Sequence, residues 1–297
     1  MIRDGLARPH RPWLGFAIFA GAWIALFSPV LIHLIRFSLG SELESYVPLV
    51  PFISLYLLVT RKSAETTTSG TDGSRRFAAV MFGCVAGVVL VIHGFLMSGG
   101  RIEGEASALA LPVVSFVTGL LGGAVFCFGW PAFRIALFPW LFLYFMIPIP
   151  EPLAHGMKVA LQQGSAEVAS LMFALTGTAV FREGLSFQLP GLAIQVAEEC
   201  SGIHSTLVLV ITSLVAGQLF LRKPWTRMLL VAVVIPLGLV RNGFRIVSIS
   251  LLTIHVDPRI IDSPLHHQGG PVYFVLSLGV LGAILWGLRR TERRKKD

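Results

Sequence analysis

The chain has 297 residues, 54% of them hydrophobic and only 13% charged, and carries a formal net charge of +8. Soluble domains carry about 25% charged residues, so this composition excludes an ordinary soluble globule and indicates a polytopic membrane protein. The basic residues stand in short clusters beside apolar runs, the pattern of cytoplasmic loops, which argues against nucleic acid as the partner of that charge.

A membrane span needs about 20 mainly apolar residues. The basic N-terminus, Met1 to Trp13, leads into an apolar run longer than a signal-peptide core, without a clear small-residue cleavage site; it reads as a retained first helix. In chain order the predicted spans are 13–36, 46–60, 77–97, 106–129, 135–150, 200–221, 227–250 and 271–288. The second and fifth are short and proline-bearing, with Pro48 and Pro51 in one and Pro139, Pro148 and Pro150 in the other. Between 61 and 76 the chain is polar and rich in Gly, Ser and Thr, the composition of a flexible cytoplasmic loop.

Eight spans put both termini on one side, and basic residues decide which side. With the termini inside, the cytoplasmic segments hold 17 of the 24 Lys and Arg residues, including the basic tail at 289–297. The longest segment between spans, 151–199, then lies outside. From Pro152 to Thr176 it has helical composition, with Lys158, Gln162, Gln163 and Glu167 among apolar residues, as suits an interfacial helix. After that Leu185, Phe187 and Leu189 alternate with polar residues, as do Leu192, Ile194 and Val196, around Pro190-Gly191. This is a hairpin joined by a type II turn. The expected fold is all-α and polytopic: one integral membrane domain over residues 1–297, with an interfacial helix and a small β-hairpin on the outer face. Internal repeats are absent, which disfavours an inverted-repeat transporter.

Three polar residues stand out in the last three spans. At 1.5 Å per helical residue, Cys200 lies about 33 Å from the basic Arg222, and Arg245 about 27 Å from Arg227. His266 lies just before the last span, which begins 18 residues ahead of Arg289. The hydrocarbon core is about 30 Å thick, so all three residues fall at the outer interface. A thiol becomes a good nucleophile when a helix N-terminus or a cation lowers its pKa. A permanently charged guanidinium favours a thiolate or an oxyanion, and an imidazole can move the proton.

Each residue also has a structural reading: an apolar-flanked cysteine, a snorkelling arginine, a solvated histidine. Arg241, Asn242 and Arg245 stack polar groups on one face of a span, and polar faces in membranes are costly and usually functional. His204, four residues after Cys200 and therefore on the same helical face, competes with His266 as the imidazole partner, and His267 and His255 are further alternatives. Glu198 and Glu199 could orient an imidazole, bind a positive substrate group or simply favour a helix N-terminus. His255, Asp257, Asp262, His266 and His267 share one loop without a metal-ligand spacing, so neither metal nor cofactor is expected. Cys84 and Cys127 lie within apolar runs and give no disulfide framework.

Glu198-Glu199-Cys200-Ser201-Gly202-Ile203, then Asn242-Gly243-Phe244-Arg245, then His266 with Gly270 and Tyr273-Phe274, resemble the exosortase/archaeosortase family. Leu49 to Leu57, Phe138 to Glu151 and the turn Leu189-Pro190-Gly191 resemble it too, so the likeness runs from about residue 40 to 280. The family often has Arg or Asn where this chain has His204, and Gly270 favours His266 over its neighbour His267.

The resemblance implies a membrane cysteine peptidase or transpeptidase with Cys200 as nucleophile, Arg245 stabilising the intermediate and His266 as acid/base. Its substrates would be secreted proteins ending in a sorting signal: a short Pro-Glu-Pro-like motif, one transmembrane helix and a basic tail. The setting implied is a bacterial-type cytoplasmic membrane, with the site on the periplasmic face and an acceptor molecule or water completing the reaction. The rival readings are a purely hydrolytic endopeptidase and a non-catalytic component of polysaccharide export.

Overall fold

The computed structural model describes residues 12–60, 72–100, 102–196, 201–258 and 270–294. The chain is an all-α polytopic membrane protein carrying one small antiparallel sheet. Among the described residues five helices are long and apolar enough to cross a membrane, or seven if each of two bent helix pairs is one span. Residues 47–60 add a shorter apolar helix, and the exact count of eight is not confirmed. Backbone contacts divide the chain into two compact units, residues 1–152 and 153–297.

In the first unit the expected span 13–36 is two helices, α1 (Pro12–Leu26) and α2 (Ser28–Gly40), bent by 71°. Ser28 and Pro29 account for the break. Proline has no N–H to donate and its ring crowds the carbonyl of Ala25, which instead accepts from the Ser28 hydroxyl at 2.8 Å. A short 3-10 turn (Val47–Leu49) leads into α3 (Val50–Thr60), which is too short to count as a full span. Helices α4 (Asp72–Ser98) and α5 (Glu105–Phe128) match expectation.

The span expected at 135–150 does not form as one helix. After α6 (Trp130–Ile135) come α7 (Leu137–Phe142) and a 3-10 turn (Leu143–Met146), and the chain is then extended from Ile147. Ile147 and Ile149 each precede a proline, and such residues avoid the helical region.

Helix α5 is the buried axis of this unit. A Cβ added at Gly119 or Gly123 would strike the rings of Trp23 or Phe19 on α1, and one at Gly122 would strike Phe82 on α4. Small residues let helices approach where lipid supplies no hydrophobic drive between them. Buried polar groups add bonds: Trp23 Nε1 donates to the Phe116 carbonyl at 2.9 Å, and Ser115 to that of Ala86 at 2.9 Å.

All but the first two residues of α8 (Glu151–Leu175) belong to the second unit, and the helix matches the one expected from Pro152 to Thr176. The expected hairpin is present as β2 (Ser186–Leu189) and β3 (Leu192–Gln195), paired Leu189 to Leu192 around Gly191 at φ +77°. A further strand, β1 (Phe181–Glu183), extends it to a three-stranded meander. Phe187 is fully buried against Phe173 of α8, with ring centroids 5.7 Å apart. Leu189, Val196 and Val247 share the same core.

The remaining helices are α9 (Ile203–Phe220), α10 (Pro224–Ala232), α11 (Val234–His255) and α12 (Gly270–Arg294). Hydrogen bonds run through Val233, so α10 and α11 form one 32-residue candidate span that outlasts the expected 227–250. Leu209, Leu221, Leu230, Val234 and Leu281 make a second core among these helices.

Candidate active site

Helix α11 organises the polar residues of the second unit. Its two turns from Gly238 to Arg245 send different groups to different neighbours, because successive residues are about 100° apart around a helix. Arg241 reaches α9: its Nη2 donates to the Gly202 carbonyl at 3.4 Å, a long hydrogen bond. Asn242 reaches α8, donating from Nδ2 to the Ser165 hydroxyl at 2.9 Å. Gly243 permits that approach, since a Cβ there would lie 2.8 Å from Val168 Cγ1 and 3.1 Å from the Ala169 backbone nitrogen. Gly238 gives the same closeness on the α9 side, where an added Cβ would meet Thr206 Oγ1 at 2.8 Å. Arg241, Asn242, Ser165 and Thr206 are all buried. Arg245 is half-buried, one turn beyond Arg241.

Cys200, Glu198, Glu199, His266 and His267 lie outside the described residues, but the chain on either side of the cysteine is described. Upstream, Val196 is buried, donates to the Leu185 carbonyl at 3.0 Å, and accepts from Nε2 of Gln162 on α8. Downstream, Ser201 is buried and Gly202 holds a left-handed conformation at φ +68° before α9 begins. A side chain there would be strained and would also lie 2.8 Å from Arg241 Nη2. Val196 is thus tied to α8 through Gln162, and Gly202 to α11 through Arg241.

The chain following His266 also meets α11. Tyr273, in the first turn of α12, shares a hydrogen bond of 2.7 Å with the Ser248 hydroxyl and packs edge-on against Phe244 at 6.1 Å. Phe244 and Ser248 flank Arg245 in sequence. Segments adjoining both Cys200 and His266 are therefore attached to α11 within about one turn of Arg245.

His204 lies in the first turn of α9, which starts at Ile203 after left-handed Gly202; the helical face expected to be shared with Cys200 involves a residue outside the described ones. The α9 helix proper, Ile203–Phe220, is about 27 Å long. His204 Nδ1 is buried without a hydrogen-bond partner. His255 and Asp257 are exposed at and just beyond the end of α11.

Gln162, Ser165 and Ser248 did not stand out in the sequence as contributors here. Gln162 was visible only as a polar residue in an apolar helix; its burial was the missing clue.

On the sheet side, Arg182 of β1 bonds Glu167 of α8 at 2.8 Å while its guanidinium covers the Phe187 ring at 5.5 Å. These contacts fasten the meander to α8 and so support the position of Val196.

A family model described as transmembrane exosortase matches residues 38–283. No curated protein and no solved structure matches the chain.

Proposed function

The chain belongs to the transmembrane exosortase family, and on that premise we propose that it is a membrane-embedded cysteine peptidase or transpeptidase. Its substrates are secreted proteins bearing a C-terminal sorting signal: a short Pro-Glu-Pro-like motif, a transmembrane helix and a basic tail. Both termini are cytoplasmic and the reaction takes place at the outer face of the membrane. The observation that carries this reading is the attachment of the segments next to Cys200 and His266 to α11 on either side of Arg245, through Gly202 and Tyr273.

The Cys200 thiolate attacks the backbone carbonyl carbon of the signal, forming a C–S bond and placing negative charge on the carbonyl oxygen. Arg245 stabilises that oxyanion, and its charge cannot be lost because guanidinium stays protonated. Collapse of the intermediate breaks the C–N bond, and protonated His266 gives its proton to the departing amine. A thioester remains on Cys200. An amine on an acceptor, or water, then attacks it; His266 takes the nucleophile's proton, and the thiolate leaves.

Replacing Cys200 with Ala tests the reading. The protein should reach the membrane folded while full-length substrate accumulates, and undiminished processing overturns the proposal. Mass analysis of the new substrate C-terminus separates the two outcomes of the second step. A conjugate marks transfer, and a free carboxylate marks hydrolysis.

A further inference from the structure

Arg241 is only 7% exposed, and its Nη1 is buried without a hydrogen-bond partner. Among the described residues no ion pair involves it. A buried guanidinium is costly unless an anion or several acceptors satisfy it, and here one long bond to the Gly202 carbonyl is its hydrogen bond. Arg245 stands one turn away on the same helix, adding a like charge instead of relieving the first.

The Arg241 guanidinium is aimed at the start of α9. Gly202 is the N-cap residue of this 18-residue helix and has no side chain to cap it. The first turn of a helix presents unpaired N–H groups and the positive end of the helix dipole. The glycine lets the guanidinium come this close to the helix start, since a Cβ there would lie within 2.8 Å of Nη2. A buried, incompletely satisfied cation and an uncapped helix N-terminus thus face each other, and both favour negative charge.

We propose that Arg241 and the N-terminal turn of α9 form a carboxylate subsite, which takes an acidic side chain of the substrate segment presented for cleavage. The planar fork of Arg241 matches a carboxylate, and the helix amides supply further donors. Arg245 is left to the reacting carbonyl, so the two arginines divide recognition and chemistry. The identity of the ligand as a substrate side chain rests on the function proposed above; the anion preference of the subsite does not.

The test uses the full chain in detergent and two peptides amidated at the C-terminus, one containing Pro-Glu-Pro and the other Pro-Gln-Pro. Amidation leaves the glutamate as the anion that distinguishes them. Binding is measured on the Cys200→Ala protein, so that turnover is not required. The Glu peptide should bind about 10-fold tighter or more, the scale of a charge-assisted hydrogen bond. In Cys200→Ala/Arg241→Gln the two peptides should bind within about 3-fold, and Arg241→Lys should restore part of the preference. Equal binding of the two peptides to Cys200→Ala, or a full preference surviving in Arg241→Gln, overturns the subsite. Peptide cleavage by Cys200→Ala would instead overturn the proposed chemistry while leaving the carboxylate preference intact.

Discussion

Asn242 of α11 and Ser165 of α8, 77 residues apart in sequence, are joined by a 2.9 Å hydrogen bond between two buried side chains. The bond holds α11 to the helix that also carries Gln162, and Gln162 fixes the chain entering the Cys200 segment. Asn242→Ala should destabilise the protein by about 1–3 kcal/mol, since a buried group loses its partner. The double variant with Ser165→Ala should be less harmful than the sum of the singles by about 1 kcal/mol. Thermal unfolding in detergent, or loss of monodispersity on heating, measures the cycle; strict additivity would show that the bond contributes nothing.

Gly202→Ala forces a side chain into the left-handed region, at about 1–2 kcal/mol, and pushes against Arg241. Signal processing should fall sharply while the helical content by circular dichroism stays unchanged. Gly156→Ala in α8 is the control, because its Cβ would meet nothing within 4 Å and alanine favours a helix. Its processing rate should match the parent's.

Gly243→Val places branched bulk where α11 already touches Val168 and the backbone of Ala169. Overpacking of this kind costs about 1–3 kcal/mol. Val168→Ala should rescue only part of the loss, because the Ala169 backbone cannot be trimmed away. Melting temperatures of the single and double variants decide the point, and complete rescue would mean that the side chain alone sets the helix separation.

Arg245→Lys keeps the charge and loses the fork. If Arg245 stabilises the oxyanion, kcat should drop on the order of 100-fold or more, the scale seen when one such donor is removed. Binding of the amidated Glu peptide to the Cys200→Ala protein should be nearly unchanged by the same substitution. A change confined to KM would assign Arg245 to binding and not to chemistry.

The opposite end of the second unit makes a contrasting case. Glu292 of α12 accepts from the backbone nitrogens of Arg222 at 2.8 Å and Lys223 at 3.0 Å, and from the Thr226 hydroxyl. It therefore ties α12 to the turn between α9 and α10. Glu292→Ala should lower the melting temperature, with a cost of about 1–3 kcal/mol. Processing measured well below that temperature should be unaffected, and a selective loss of kcat would place Glu292 in the reaction pathway.

The local features of this protein were legible in its residues because neighbours in sequence determine them. Apolar runs marked α4, α5, α9 and α12, and alternating residues around Pro190-Gly191 marked β2 and β3 with their register. Where local rules competed, the longer pattern misled. Pro29 broke the first apolar run into α1 and α2, and Pro148 and Pro150 ended the fifth, so neither is one straight helix.

The polar stack at Arg241, Asn242 and Arg245 was visible from its spacing, but its division of labour was not. Arg241 goes to Gly202 across 39 residues, and Asn242 goes to Ser165 across 77. Those partners depend on how α11 is rotated and how closely α8 and α9 approach it, which Gly238 and Gly243 permit but do not specify. Composition, apolar run length and turn residues thus determined that the chain crosses membranes and which segments are helical or extended. Helix packing alone decided which polar groups meet, because a buried hydrogen bond depends on the relative placement of two helices, a quantity that neither helix encodes by itself.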